Sequence, residues 1–446
     1  MLQKLVGFYR PAPFVGSATK QDEEAYFKRL RWSVFLSATF GYGLYYVSRL
    51  SFNVIKKPLI DQGLYTESQL GIIGSSLFFS YAGAKFINGF LADRTNIRKF
   101  MATGLLISAC INICLGFNLP FIAFAVLWGL NGWAQSMGAP PSVIALTRWF
   151  NSKQRGTYYG FWSASHNIGE ALTYLIIALL VSSFGWQMGF YGAGIIGLLG
   201  VLIIWFGLHD SPQSKGITLA INPVSAEEKK EETTIGKLQK QVLKNPYVWL
   251  LALSSSCMYV TRYAINSWGI FFLQSSKGYT SLQASSIVSV NAICGIVGTV
   301  FSGLVSDKFF KGKRKTPALI FGMLNTIALS LFLFAPKSYV LDTLSMVLFG
   351  LSVGVLVCFL GGLMAVDIVH KKATGAALGV VGIASYIGAG IQDIISGSMI
   401  EGSKTGSSST SLLYDFSKVS MFWIGASIAS FVLVLLIRGK RIKEAV

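Results

Sequence analysis

An all-α membrane protein of twelve transmembrane helices, arranged as two pseudo-symmetric six-helix bundles with both termini in the cytoplasm, is the fold that this sequence predicts. Composition is the first observation behind it: 52% of the 446 residues are hydrophobic and 13% charged, about half of the roughly 25% charge that soluble domains carry. Too few polar side chains exist to coat a water-soluble globule, so hydrocarbon must be the solvent for most of the surface. The second observation is that apolar runs of about 18 residues or more recur along the whole chain. The third is the placement of the basic residues. Of 38 Lys and Arg, 29 lie on the side holding both termini when connections are allotted alternately, and 5 on the other; basic loops are retained in the cytoplasm during insertion. The net charge of +19 is thereby a topology signal. A lipid bilayer is the expected surrounding, and the nucleic-acid partner that such a charge suggests in a soluble protein is excluded.

The spans are expected at about 32–55, 68–91, 100–117, 121–147, 157–183 and 187–208, then 247–273, 281–305, 316–335, 339–367, 374–399 and 417–437. Span 1 follows Asp22, Glu23 and Glu24, contains Arg49 and precedes no small-residue cleavage site, so it is expected to stay in the mature protein and not to act as a signal peptide. Span 2 carries Lys85 and closes on Gly89-Phe90-Leu91-Ala92-Asp93-Arg94. Span 4 holds Gln135 and then Pro140-Pro141, which cannot donate to a helix ladder and predict a kink or break. Residues 209–246 contain His209, Pro212, Pro223 and the run Glu227-Glu228-Lys229-Lys230-Glu231-Glu232, and read as a cytoplasmic linker between a first bundle at 1–208 and a second at 247–446. Repetition supports this division. The segment starting at Gly89 recurs at Gly303, an offset of 214, and the Tyr-Val-Ser-Arg ending at Arg49 recurs as Tyr-Val-Thr-Arg ending at Arg262, an offset of 213. Gly156, Gly160 and Gly169 likewise recur as Gly375, Gly379 and Gly388. Duplicated bundles of this kind place substrate sites near the midplane, where the repeats meet. The five cysteines (Cys110, Cys114, Cys257, Cys294, Cys358) all lie in apolar spans and are odd in number, so they are expected to be small packing residues without a disulfide framework. Cys110 and Cys114 have no His or acid beside them, and no metal site is expected.

An arginine at the centre of a membrane helix costs about 2.5–3.5 kcal/mol on insertion scales, and two at matched positions of two repeats need a reason. Arg49 and Arg262, on the first helix of each half, are expected to face one another across the pseudo-twofold axis. Two guanidinium forks can grip the oxygens of one tetrahedral dianion such as a phosphate, and their two charges neutralise it. The alternative is snorkelling, or pairing with a buried acid such as Glu170 or Asp393. Lys85 either snorkels or supplies a third positive charge at the mouth of the site. His166, the one histidine well inside the membrane, has an imidazole that titrates near the second pKa of a phosphate ester and can share a proton with it. Tyr42, Tyr46 and Tyr259 lie one and two turns before the arginines, where they can line a sugar-phosphate cavity. Asn266 follows Arg262, and Gln135 offers a polar contact. No P-loop, G-x-S-x-G or HExxH is present, so neither an enzyme nor a cofactor is expected.

The twelve spans, the central linker and the twice-occurring G-x-x-x-D-[RK] resemble the major facilitator superfamily along the whole chain. Gly89, Asp93 and Arg94, with Gly303, Asp307 and Lys308, are accordingly assigned to gating and assembly, the glycines allowing close helix approach. More narrowly, Tyr42, Tyr46 and Arg49, Tyr81 and Lys85, the stretch through Gln135 to Pro141, Ala-x-His-Asn at His166, Tyr259 and Arg262, and Lys371-Lys372-Ala-Thr-Gly with Tyr386 resemble the organophosphate:phosphate antiporters. The resemblance implies Arg49 and Arg262 as the phosphate pair with His166 and Lys85 as helpers. Leu50 and Ala139 stand where the glycerol-3-phosphate branch carries lysine and a bulky aromatic, which favours a larger sugar phosphate.

The expected function is exchange of a hexose phosphate, such as glucose 6-phosphate, for inorganic phosphate by a monomer in the inner membrane. Two alternatives keep the same pocket: a membrane sensor of hexose phosphate acting on a signalling partner, and a glycerol-3-phosphate transporter.

Overall fold

In the computed structural model, which describes residues 7–13, 23–217, 240–310, 314–369, 373–408 and 411–437, the apolar runs become helices because backbone polar groups in hydrocarbon must be satisfied within their own segment. The first-half elements are α1 (Glu23–Asp61), α2 (Glu67–Arg94), α3 (Ile97–Leu115), α4 (Phe121–Gln135), α5 (Ala139–Trp149), α6 (Ser152–Phe184) and α7 (Trp186–Gly207). The second half holds α8 (Pro246–Tyr263), α9 (Ile270–Ser275), α10 (Ser281–Leu304), α11 (Lys315–Phe334), α12 (Tyr339–Cys358), α13 (Met364–Asp367), α14 (Thr374–Glu401) and α15 (Ser417–Leu436). Single π turns join α8 to α9 (Ala264–Gly269), extend α10 (Val305–Phe309) and join α12 to α13 (Phe359–Leu363).

Helix starts follow capping chemistry. Asn96 and Asn151 accept from the amides of Lys99 and Gln154, supplying partners for donors that a first turn leaves unsatisfied. Thr66 and Gln69 cap α2 reciprocally, and Thr280 and Gln283 do the same at α10, a reciprocal box that repeats at the offset of 214. The break expected in span 4 falls at Ser136–Gly138, and Pro140 and Pro141 open α5, where a missing N–H costs nothing.

Nine helices among the described residues are long and apolar enough to cross a membrane. The segments expected as spans 1, 4 and 7 are not among them. Those three carry the polar residues Arg49 and Lys56, the α4–α5 break, and Arg262 with its π turn. One element was not foreseen: an antiparallel hairpin of β1 (Lys404–Ser408) and β2 (Ser411–Tyr414), whose Lys404 and Tyr414 both bind Glu67 at the start of α2. Cys110 and Cys114, expected as packing residues, are instead exposed on α3, on a face of that helix left open by the described residues.

The chain forms two compact units, residues 1–52 with 83–224 and residues 53–82 with 225–446. In the first unit Asp210 is buried, accepting from Arg148 at 2.7 Å and from the amides of Ala12 and Ile97 at 2.8 and 3.1 Å. The start of the expected linker is therefore part of the packed unit. A side chain on Gly169 of α6 would stand 2.3 Å from the carbonyl oxygen of Gly43 on α1, so only glycine permits this crossing. In the second unit a Cβ on Gly388 of α14 would stand 2.2 Å from the hydroxyl and 2.8 Å from the carbonyl oxygen of Ser256 on α8. Gly43 and Ser256 are separated by the repeat offset of 213, so the duplication extends to how helices cross.

Candidate functional site

One face of α1 is polar through the membrane: Tyr42, Tyr46, Arg49, Asn53 and Lys56 alternate in steps of four and three residues, which stacks them along a single side of a helix. Arg49 is buried, with its guanidinium 5.6 Å from the centre of the Tyr46 ring. That ring lies 5.7 Å from the imidazole of His166 on α6 and 5.7 Å from Tyr42, which in turn stacks on Trp162 at 4.9 Å. The first unit therefore gathers four of the expected site residues, Tyr42, Tyr46, Arg49 and His166.

A hydrogen-bond network fixes the backbone behind Arg49. The carbonyl of Ser48 accepts from Asn112 at 2.9 Å and from Asn131 at 3.0 Å, while Ser108 donates to Asn131 at 2.5 Å and accepts from Gln135 at 2.7 Å. Gln135, expected to contact substrate, is buried with its amide committed to this network. It positions α1.

In the second unit Arg262 lies over the rings of Tyr259 and Tyr263 at 5.9 and 5.8 Å. Tyr386 of α14 is 5.5 Å from Tyr259, and Tyr81 of α2 is 4.6 Å from Tyr386. Tyr81, Tyr259, Arg262 and Tyr386 are thus brought together. Asn266, in the π turn, is buried and accepts from Asn291 at 3.2 Å. Each arginine follows a tyrosine by three residues, and both tyrosine and arginine repeat at the offset of 213. Cation–π contact is worth about 0.5–2 kcal/mol, less than the insertion cost of the charge, so these rings orient the guanidinium but do not by themselves offset that cost.

Lys56 was missed. Counted by sequence as a loop residue just beyond span 1, it lies within α1 and is fully buried, since the helix continues to Asp61. Its Nζ donates to Ser267 Oγ at 2.7 Å and to Asp393 Oδ1 at 3.1 Å, and sits 3.8 Å from the Trp268 ring centre. Ser267 also donates to Asp393 at 2.7 Å. Asp393, considered as a partner for the arginines, is paired with this lysine instead. A Cβ on Gly74 would lie 1.7 Å from Asp393 Oδ2, so the carboxylate occupies the space that a side chain there would need. The signal was present in the steps of four and three along α1.

Of the remaining expected residues, Lys85, Asp93, Arg94 and Lys308 are exposed. No atom lies within 4 Å of where a Cβ on Gly89 would be, so the close approach expected there is absent. The surroundings of Gly303 and the side chain of Asp307, together with His370, Lys371 and Lys372, lie outside the described residues. His209, outside the spans, has its pKa lowered to about 4 by burial, then by Lys215 and Arg98.

Comparison with known proteins adds four likenesses. The family profile described as Major Facilitator Superfamily matches residues 38–392. The chain is 33% identical to the membrane sensor protein UhpC of Salmonella typhimurium, over 83% of this chain and 86% of that one. It is 34% identical to a probable hexose phosphate transport protein of Chlamydia pneumoniae, over 86% and 88% of the two chains. In fold it resembles the inward-facing, unoccupied crystal structure of a bacterial homologue of the human lysosomal transporter Spinster, with a TM-score of 0.74 at 17% identity, over 92% of this chain and 95% of that one.

Proposed function

The chain belongs to the major facilitator superfamily, and from that premise we propose that it exchanges a hexose phosphate for inorganic phosphate across the inner membrane. The observation that carries this reading is the repeated tyrosine-under-arginine arrangement, Tyr46 with Arg49 and Tyr259 with Arg262. In this reading the two arginines are the phosphate ligands, and His166, beside Tyr46, shares a proton with the ester. Tyr42, Tyr81 and Tyr386 provide surfaces for the sugar, and Lys85 adds positive charge. The reading takes the chain as a monomer of twelve spans with cytoplasmic termini, divided at 209–246, in which the two G-x-x-x-D-[RK] segments gate access.

Exchange follows from the charge. A bound phosphate ester brings a dianion that two guanidinium forks attract together, so in this reading the loaded protein changes the side it opens to more readily than the empty one. Purified protein in vesicles is expected to accumulate labelled phosphate only when the vesicles are preloaded with phosphate or a sugar phosphate. Substantial uptake into unloaded vesicles under a pH gradient would instead indicate proton symport. A second reading, a membrane receptor for hexose phosphate, is favoured by the likeness to UhpC. Measurable hexose-phosphate binding with no exchange in the same vesicles would select it.

A further inference from the structure

A cavity of about 440 Å³ in the first unit, between α2, α3 and α4, has mostly apolar walls and two arginines in its lining. The volume lies in the range of small-molecule sites. Its walls include Leu91, Ile107 and Trp133, each also more than 40% exposed, so the cavity opens on a face that hydrocarbon covers.

Its rim is cationic. Arg10 and Arg94 line it, both exposed, and neither is ion-paired with a carboxylate among the described residues. Arg10 is held there by an ordered strap. The Asn96 amide donates to Tyr9 O at 2.8 Å, Tyr9 Oη donates to Thr103 at 2.9 Å, and the Ala12 amide donates to Asp210 at 2.8 Å. Between the end of α2 at Arg94 and α3 stands Thr95, whose Oγ1 is buried without a hydrogen-bond partner among the described residues. The Ile97 and Lys99 amides at the start of α3 are already taken by Asp210 and Asn96, so an anion here must be held by side chains.

We propose that this cavity binds one anionic phospholipid, with its phosphate on Arg10, Arg94 and the Thr95 hydroxyl and an acyl chain along Leu91, Ile107 and Trp133. Basic pockets at helix ends recognise anionic headgroups in this way, and a neutral lipid would leave both arginines uncompensated. The inference requires a membrane but no particular transport substrate.

The test uses the full chain in phosphatidylcholine nanodiscs doped with phosphatidylglycerol whose acyl chains are brominated, reading tryptophan emission. A saturable quenching component is expected, absent in Trp133→Phe and weakened roughly fivefold in each of Arg10→Gln and Arg94→Gln, with a smaller loss in Thr95→Val. Equal quenching by brominated phosphatidylcholine would overturn the proposal, as would a titration that Arg10→Gln leaves unchanged. Arg10 lies on the strap, outside the helices, so its variant carries the test even if Arg94→Gln fails to fold.

Discussion

Arg49 and Arg262 each sit over a tyrosine one turn back, a geometry that a planar guanidinium accepts and an ammonium does not reproduce. Replacing either with Lys keeps the charge but removes the fork, and exchange is expected to be lost while the protein still reaches the membrane; near-normal transport by Arg49→Lys would refute the two-fork clamp. His166→Gln preserves hydrogen bonding but cannot take up a proton, so the pH dependence of affinity between about pH 5 and 8 should flatten. His209 supplies the contrast. Its pKa is lowered to about 4, so the folded protein resists protonation that the unfolded chain accepts below about 6.5. Stability attributable to His209 therefore declines as pH falls from about 6.5 to about 4 and does not change above that window. His209→Gln should remove this acid component from thermal unfolding without altering the pH profile of affinity; a changed profile would move the proton role away from His166.

Helices pack here through small residues, and the α1–α6 crossing at Gly43 and Gly169 is the clearest case. A methyl at Gly169 meets a backbone oxygen at 2.3 Å, which cannot rotate away, so Gly169→Ala should cost about 1–3 kcal/mol from overpacking. Thermal unfolding of the purified protein measures it, and an unchanged midpoint would mean that the helices separate freely at this point. The repeat of Gly169 at Gly388 was readable in the sequence, as was the break at Pro140-Pro141, because each depends on local spacing; the caps of α2 and α10 were not read there. Lys56 shows what was not readable. It stands beside Lys57, which pairs with Asp61 at the surface, and only a helix extending past the apolar run separates the buried lysine from the exposed one. Hydropathy ends a span where the apolar run ends; the backbone ends it where the ladder stops. Gly89 erred in the opposite direction, since a motif glycine does not reveal whether a neighbouring helix is near. Gln135 and Asn266 read as site residues from sequence because polarity in a span marks function or a network alike, and only hydrogen-bond partners distinguish them.

At the scale of the whole molecule, α1 belongs to the first repeat and α14 to the second, and inside the second unit Lys56 and Asp393 bind these two helices together in full burial. Removing one partner of such a pair leaves an uncompensated charge, at about 3–5 kcal/mol. Asp393→Asn is therefore expected to lower the unfolding midpoint strongly, and Lys56→Met added to it should recover most of the loss; a stable Asp393→Asn protein would show the pair to be dispensable. The π turn beside this pair carries a further meaning. Tyr46 and Tyr259, Arg49 and Arg262, and Asn53 and Asn266 all differ by 213, whereas Tyr65 and Tyr279, Thr66 and Thr280, and Gln69 and Gln283 differ by 214. The second half thus holds one residue more between Asn266 and Tyr279 than the first half holds between Asn53 and Tyr65, and near the start of that stretch lies the π turn Ala264–Gly269, a wide ring that absorbs one extra residue. Each residue rotates a helix by about 100°, so one additional residue turns what lies beyond it away from the orientation of its twin. Ser267 and Trp268 now point at Lys56 and Asp393, on a surface with no counterpart in α1. A one-residue difference leaves two sister helices inequivalent within two turns of the arginines they share.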